Sequence, residues 1–325
     1  MTTTIEVFTF SIRKKRAREP LSFSDEPDFF EMLIDEHNGW IPFIDKNITG
    51  DLPAEKMTMR LTKEFNNLSR KQRYLCGIIE TGHYGKEYEV VDKDDPEDED
   101  KKIFLGKSKA ILKPFFYFIK IPRTGDKALL ILERTENDGI FPVFRSIMIS
   151  YINEKLNKGL DEKIDYTIDR NNVVIKSYLK KFTEGHLKSY TLTVNKVSSD
   201  VAERYCGTLD REDFSIDLIV RFNNNLSKDK ENTIRDLINS GEALFESSDL
   251  NAIFEGAEKK YTSTVGGGKS AKTRTFYMNE DKMGLIRPYY DVEVEENDKG
   301  FSDYKSIKEA VKEFVNTTPD FRVFD

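Results

Sequence analysis

Apolar and polar residues alternate in the first part of the chain, as they do in strands that bury one face. Phe8, Phe10 and Ile12 share one side of a first predicted strand, while Ile5 and Val7 share the other. The same alternation predicts a strand at 57–61. Residues 74–79 form a compact apolar run that should be buried, and a further strand is predicted at 88–91.

The clearest pattern lies in the middle of the chain's first half. Residues 114–121 (PFFYFIKI) and 128–132 (ALLIL) are rich in strand-forming types, and the PRTGDK sequence between them predicts a turn. From Ile140 to Leu156 the apolar residues are spaced at three and four, which predicts an amphipathic helix.

The remaining patterns complete a mixed set of elements. They predict helices near 27–34, 177–182, 233–238 and 307–315, and strands near 166–175, 190–194, 214–222, 261–265, 273–278 and 292–294. This order predicts an α+β fold of two mixed sheet-and-helix domains, each with helices packed on a largely antiparallel sheet. A polar stretch at 197–212 sets the predicted domains at 1–196 and 210–325.

Composition supports folded domains and excludes several classes of protein. Of 325 residues, 38% are hydrophobic and 12% aromatic, enough to form cores. The two cysteines, Cys76 and Cys206, exclude a disulfide scaffold and a cysteine-rich zinc module, and they suit a reducing cytoplasm. No apolar run approaches the roughly 18 residues of a membrane-spanning helix, so we expect a cytoplasmic protein without a membrane partner.

The negative charge is concentrated in one segment. Residues 92–100 (DKDDPEDED) carry seven acids and one lysine, a net charge of −6 out of −7 for the chain. The segment contains Pro96 and no apolar residue, so we predict a solvated acidic loop at 92–102. The segment does not match the ligand spacing of a calcium-binding loop. Glu97 occupies the position that needs glycine, and Ile103 occupies the position of the bidentate glutamate.

Basic residues cluster at 13–18, 60–73 and 259–274. Clustered cations near aromatic residues suit contact with a phosphate backbone, although a pI of about 5.4 argues against a dedicated nucleic-acid binder. The residues predicted to contact nucleic acid are Arg13, Lys14, Lys15, Arg16, Arg18, Lys269, Lys272 and Arg274. The prediction requires these segments to converge on one surface.

Signals for catalysis are few. The GGGKS sequence at 266–270 lacks the first glycine and the following helix of a phosphate-binding loop, so we expect a hairpin tip there. A metal-dependent nuclease would need carboxylates on neighbouring strands and a lysine. Glu133, Asp217, Glu258 and Lys260 are the candidates for that alternative. No spacing indicates a resident metal or a cofactor.

One stretch carries a family resemblance. Residues 77–85 (GIIETGHYG) are followed, after the acidic segment, by 113–118 (KPFFYF), 129–134 (LLILER) and a glycine that opens a helix. Over about 74–156 this layout resembles uncharacterised bacterial proteins, some encoded near anti-phage defence genes. The resemblance implies a bacterial intracellular protein of a defence system, and it supplies no catalytic residues. From the residues themselves, Gly82, Tyr84 and Gly85 are predicted to form a structural loop.

The sequence therefore favours a non-enzymatic binding or effector protein that contacts nucleic acid through its basic clusters. Two alternatives stay open: a metal-dependent nuclease and a protein-binding scaffold subunit. Nucleic acid and protein are the two partner classes, and the sequence gives no oligomeric state.

Overall fold

The structure is a computed structural model of the 325-residue chain. It describes residues 1–47, 51–52, 56–135, 138–195, 215–222, 226–240, 253–254, 257–265, 272–277 and 288–324. These residues form mixed sheets and helices, which confirms the predicted α+β class. In the described part of the chain, no helix is long and apolar enough to cross a lipid bilayer.

The strands are β1 (Thr2–Lys14), β2 (Asp51–Leu52), β3 (Met57–Ser69), β4 (Tyr74–His83), β5 (Tyr88–Val90), β6 (Ile103–Leu105), β7 (Lys113–Lys120), β8 (Ala128–Thr135), β9 (Asp138–Gly139), β10 (Tyr166–Asn172), β11 (His186–Val194), β12 (Ile216–Arg221), β13 (Glu258–Val265), β14 (Lys272–Tyr277) and β15 (Tyr289–Glu293). The helices are α1 (Phe29–Ile34), α2 (Trp40–Asn47), α3 (Phe141–Leu156), α4 (Lys176–Thr183), α5 (Lys228–Ser240) and α6 (Tyr304–Thr317), with 3₁₀ turns at Glu99–Lys101 and Pro319–Phe324.

The chain divides into two compact units, which we call unit 1 (1–173 and 289–325) and unit 2 (174–288). Unit 1 is built on a nine-stranded sheet in the order β10-β1-β8-β7-β4-β3-β2, with β15 also paired to β1 and β9 to β8. Every pairing in it is antiparallel. Long β1 is central because its first half pairs with β15 and its second half with β10, while β8 runs along its other edge.

One face of the unit 1 sheet carries the main hydrophobic core. The alternation seen in the sequence puts Phe8, Phe10 and Ile12 on that face, where α1, α2 and α3 cover it. Trp40 and Tyr151 lie at the centre of this helical layer, with 5.7 Å between their ring centroids. Burial of these aromatic and aliphatic side chains stabilises the unit.

Helix α6 covers the opposite face of the same sheet. Its Ile307, Val311 and Val315 are buried at a spacing of four, and Tyr304 lies 6.2 Å from the Phe116 ring. Strand β15 leads into this helix, and the Met1 amino group donates to the Val294 carbonyl at 2.6 Å. Strands β1 and β15, which are nearly 290 residues apart in the sequence, therefore pair in one sheet.

Unit 2 contains a four-stranded antiparallel sheet in the order β12-β11-β13-β14. Its small core includes Tyr190, Leu192 and Phe254, against which Ile234 of α5 packs. Helix α5 also brings Glu231 under β11, where its Oε1 accepts from the Leu187 N–H at 3.2 Å.

The compact units divide the chain differently from the sequence-predicted domains. Residues 174–196 belong to unit 2, and 289–325 return to unit 1, because β15 pairs with β1 instead of extending the second sheet. The predicted boundary at 197–209 and the predicted hairpin tip at 266–270 lie outside the described residues.

Candidate functional site

The basic segment 13–18 forms the turn that ends β1 in unit 1. The Ala17 N–H donates to the Lys14 carbonyl at 2.9 Å, and Leu21 N–H donates back to Ile12 at 2.7 Å. Arg16 is in the left-handed region with φ 76°. This tight return leaves Lys14, Lys15, Arg16 and Arg18 exposed to solvent.

Two of the five cations in this turn are paired with acids. Arg13 bonds Asp169 through Nε and Nη2 and also donates to the Ala17 carbonyl at 3.2 Å. Lys15 lies 3.5 Å from Asp165 in an exposed pair. Among the described residues, no acid pairs with the remaining three, Lys14, Arg16 and Arg18. The turn thus presents three uncompensated charges and not five.

The turn between β7 and β8 lies beside this segment. The Phe23 N–H donates to the Gly125 carbonyl at 2.9 Å, and Ala128 pairs with Phe10. Arg123 and Lys127 in this turn are exposed, and the described chain offers neither of them an ion-pair partner. We call the surface formed by Lys14, Arg16, Arg18, Arg123 and Lys127 the basic end of unit 1. The loop that connects β1 to α1 also contains three exposed acids, Glu19, Asp25 and Glu26, so the positively charged surface is narrow.

The cations at 60–73 mostly have structural roles. Arg73 is buried, bonds both carboxylate oxygens of Asp28 at 2.9 and 3.0 Å, and lies over the Phe30 ring. Arg60 is paired with Glu80, and Arg70 pairs with a glutamate of α1 at 2.6 Å. Arg70 and Arg73 hold α1 against the sheet, and Arg60 links β3 to β4. Of the cations in this segment whose side chains the structure describes, exposed Lys71 alone has no ion-pair partner.

The third basic segment belongs to unit 2. Lys260 lies on β13 and forms an ion pair with Glu258 at 2.8 Å. Lys272 and Arg274 lie on β14, where they pair in register with Val265 and Ser263. Lys269 is outside the described residues. Convergence of this segment with the basic end stays a prediction.

Glu133, one of the four nuclease candidates, is buried in unit 1. Its Oε1 accepts from the Ser302 hydroxyl at 2.5 Å and the Thr3 hydroxyl at 3.2 Å, and its Oε2 accepts from the Phe116 N–H at 2.9 Å. Burial raises the pKa of this carboxyl above its ordinary value of 4.5, against the opposing effect of these hydrogen bonds. With 4% of its surface exposed, Glu133 is a satisfied structural acid and does not join the other three candidates.

Those three candidates share one face of the unit 2 sheet. Thr193 on β11 pairs with Asp217 on β12 and with Glu258 on β13. The side chains of Thr193, Asp217 and Glu258 therefore leave the sheet on the same face. Lys260, two residues beyond Glu258, is on that face too. Asp217 is exposed, and roughly 10 Å separates the Cα atoms of the two acids across two strand spacings.

Thr193 is the unusual member of this group. It is 8% exposed, and its Oγ1 is buried without a hydrogen-bond partner. A buried hydroxyl without a partner costs free energy, which a bound ligand or water would recover. In the described part of the chain, no group of three or more His, Cys, Asp or Glu side chains could hold a metal ion.

The predicted glycine loop divides between a strand and a turn. Gly82 lies within β4, where a Cβ atom would be 2.1 Å from the Ile111 carbonyl oxygen. Gly85 follows the strand with φ 93°, a conformation that favours glycine. The Tyr84 N–H between them donates to the Lys56 carbonyl at 3.0 Å. These residues shape the backbone here, and only Gly85 needs a left-handed conformation.

Comparison of the chain with protein-family models, with curated proteins and with solved structures finds no match. Functional inference therefore rests on the surfaces themselves. Arg123 and Lys127 were missed at the level of sequence, where PRTGDK indicated only a turn. Two cations in the six-residue PRTGDK sequence were the available signal, but their position beside the basic segment 13–18 depends on strand order.

Proposed function

We propose that this protein is a non-enzymatic binding or effector protein that contacts the phosphate backbone of nucleic acid through the basic end of unit 1. The observation that supports the proposal is the cluster of five exposed, unpaired cations on two neighbouring turns. Such charges release counterions from nucleic acid on binding, which supplies affinity without reading the base sequence.

The shape of the basic end suits a local contact. Both turns project from the same end of the sheet, and the exposed acids nearby limit how much backbone can be held. For at most five phosphate contacts, we expect a salt slope no steeper than about −4.5 for duplex DNA. Binding of that size is weak and independent of sequence, with a dissociation constant on the order of 10⁻⁴ to 10⁻⁶ M at physiological salt.

The setting that we propose is the bacterial cytoplasm, as part of anti-phage defence. It is supported by the sequence resemblance over residues 74–156 and by the scarcity of cysteine. In such a setting, a weak, sequence-independent contact with nucleic acid would need a second interaction to direct the protein to its target.

Titration of labelled single-stranded and duplex DNA at increasing salt tests the proposal. Changing Lys14, Arg16 and Arg18 together to Ala should weaken binding more than about tenfold and reduce the salt slope by about 2.7. The matched control changes Lys86, Lys107 and Lys109, which are exposed at the opposite end of the sheet. Equal losses from both triple variants, or no binding even at low salt, would overturn it.

A metal-dependent nuclease is the second candidate, and the shared face of Asp217, Glu258 and Lys260 favours it. A hydrated Mg²⁺ would be held between Asp217 and Glu258, because such ions commonly use one or two carboxylates together with water. Lys260 would then stand beside the substrate phosphate. Glu133 has no part in this arrangement, because it is buried in unit 1.

Incubation of DNA and RNA with Mg²⁺ or Mn²⁺ tests this second candidate, with Mn²⁺ binding measured separately by paramagnetic resonance. Asp217→Asn and Glu258→Gln should each abolish both cleavage and metal binding. Asp229→Asn, an exposed change in the first turn of α5, should alter neither. Intact nucleic acid with both metals would eliminate the nuclease.

A further inference from the structure

A two-stranded ribbon leaves the end of the unit 1 sheet that lies opposite the basic end. Strands β5 and β6 pair only with each other among the described strands, with Tyr88 opposite Leu105 and Val90 opposite Ile103. The ribbon starts after β4 and returns into β7, and the acidic segment connects its strands. We call residues 84–112 the acidic arm.

The arm exposes an unusual amount of apolar surface. Its exposed apolar side chains are Tyr88 (38%), Val90 (40%), Val91 (43%), Ile103 (59%), Phe104 (67%) and Ile111 (52%). Because paired residues share a face, Tyr88, Val90, Ile103 and Leu105 form one continuous apolar strip. An isolated two-stranded ribbon is only marginally stable in water, and exposed apolar patches mark interaction sites.

The tip of the arm supplies the charge. Lys101 pairs with Asp98 at 3.0 Å, and Lys102 pairs with Glu99, so part of the acidity is neutralised within the tip. Glu97 and Asp100 stay exposed, with no ion pair to any residue that the structure describes. An apolar strip thus ends at a cluster of uncompensated carboxylates.

We propose that the acidic arm docks a protein partner through an extended segment that alternates apolar residues with lysine or arginine. The partner strand adds to the open edge of the ribbon, its apolar side chains continue the strip on the same face, and its cations nearest the turn meet the acidic tip. The charge selects this occupant: carboxylates repel the phosphates of nucleic acid and of anionic lipid. The inference goes beyond nucleic-acid binding, because it concerns the other end of unit 1.

A labelled short peptide that alternates lysine with valine is the probe, and its glutamate–valine counterpart is the charge control. The full chain should bind the basic peptide at least about tenfold more tightly, with affinity falling as salt rises. Changing Val90 and Ile103 to Ser should weaken binding by about tenfold, as should Glu97→Gln combined with Asp100→Asn. Both sets are exposed, so the fold should persist.

Val323→Ser is the matched control for the apolar change. Val323 is an apolar residue with 75% exposure, and it lies outside the acidic arm, in the 3₁₀ turn that follows α6. It should leave peptide binding unchanged. DNA binding should be the same in all arm variants, which separates this inference from the proposed function. Equal affinity for the two peptides, or unchanged binding by the arm variants, would refute the docking proposal. A dimer in sedimentation that the Val90 and Ile103 changes dissociate would refute it too, because a second copy would then cover the arm.

Discussion

The hydroxyl of Ser302 donates a hydrogen bond to the Glu133 carboxylate, with 2.5 Å between Oγ and Oε1. The bond joins residues 169 positions apart, and both are buried. It links the segment before α6 to β8. The Phe116 N–H of β7 donates to the same carboxylate, at 2.9 Å, next to the residues that pair β7 with β8. A polar contact at the centre of unit 1 thereby fastens the C-terminal segment to the sheet.

Loss of this hydroxyl should destabilise unit 1. Ser302→Ala leaves the buried carboxylate with one donor fewer, and we expect the free energy of unfolding to fall by about 2 kcal/mol. Urea denaturation measures the change. Ser150→Ala, which removes an exposed hydroxyl on α3, should stay within about 0.5 kcal/mol of the wild type. Equal effects of the two substitutions would contradict a special role for the Glu133 contact.

Glu133 should make stability fall as pH rises above the ordinary carboxyl value. Since burial raises its pKa in the folded state, the folded protein binds the proton more tightly than the unfolded chain does. Its stabilising contribution is therefore fully present below pH 4.5 and is lost as pH rises through the folded pKa. Glu133→Gln should remove this pH dependence, because an amide does not titrate. The fold should be kept, because the amide can accept from the Phe116 N–H and donate to the two hydroxyls. Denaturation midpoints across this range measure the pH dependence, and an unchanged slope would exclude Glu133 as its source.

The Arg73–Asp28 pair should contribute in the opposite direction. Burial alone would raise the pKa of Asp28, but hydrogen bonds from Arg73 and from the Glu31 N–H lower it below 3.8. The contribution is present above pH 3.8 and disappears as pH falls through the folded pKa. Asp28→Asn keeps a helix-capping side chain but leaves Arg73 unpaired, so we expect a loss of about 2 kcal/mol at neutral pH.

The Arg70–Glu31 pair is the internal control for this prediction. Both side chains are more than half exposed, and exposed pairs contribute little. Glu31→Gln should change the free energy of unfolding by no more than about 0.5 kcal/mol. If Asp28→Asn and Glu31→Gln lower the free energy of unfolding by the same amount, burial of Arg73 does not strengthen its pair with Asp28.

A methyl group at Gly82 should disturb the base of the acidic arm. Gly82→Ala would place Cβ 2.1 Å from the Ile111 carbonyl oxygen, so the returning backbone must move. We expect a loss of about 2 kcal/mol in thermal or urea unfolding. Gly106→Ala is the matched change within the arm, because no atom lies within 4 Å of the added Cβ, and it should be nearly neutral. Equal stability of the two variants would contradict the close approach.

Local pattern was enough to predict much of unit 1. Alternation located β1, strand-forming residue types located β7 and β8, the three-and-four spacing located α3, and the composition of 92–100 indicated an exposed acidic connection. These features depend on whether each side chain faces water or a core, which a short window of sequence records directly.

Partner choice was decided only by the tertiary structure. Nothing local indicates that β15 pairs with β1 across the whole chain, or that Asp169 neutralises Arg13 from 156 residues away. Glu133 has the sequence context of a free acid at the end of a strand, yet three donors from distant segments enclose it. Periodicity encodes burial, whereas strand order and ion pairing arise from long-range packing, so the sequence determined the elements and the three-dimensional arrangement determined which charges remain available for a partner.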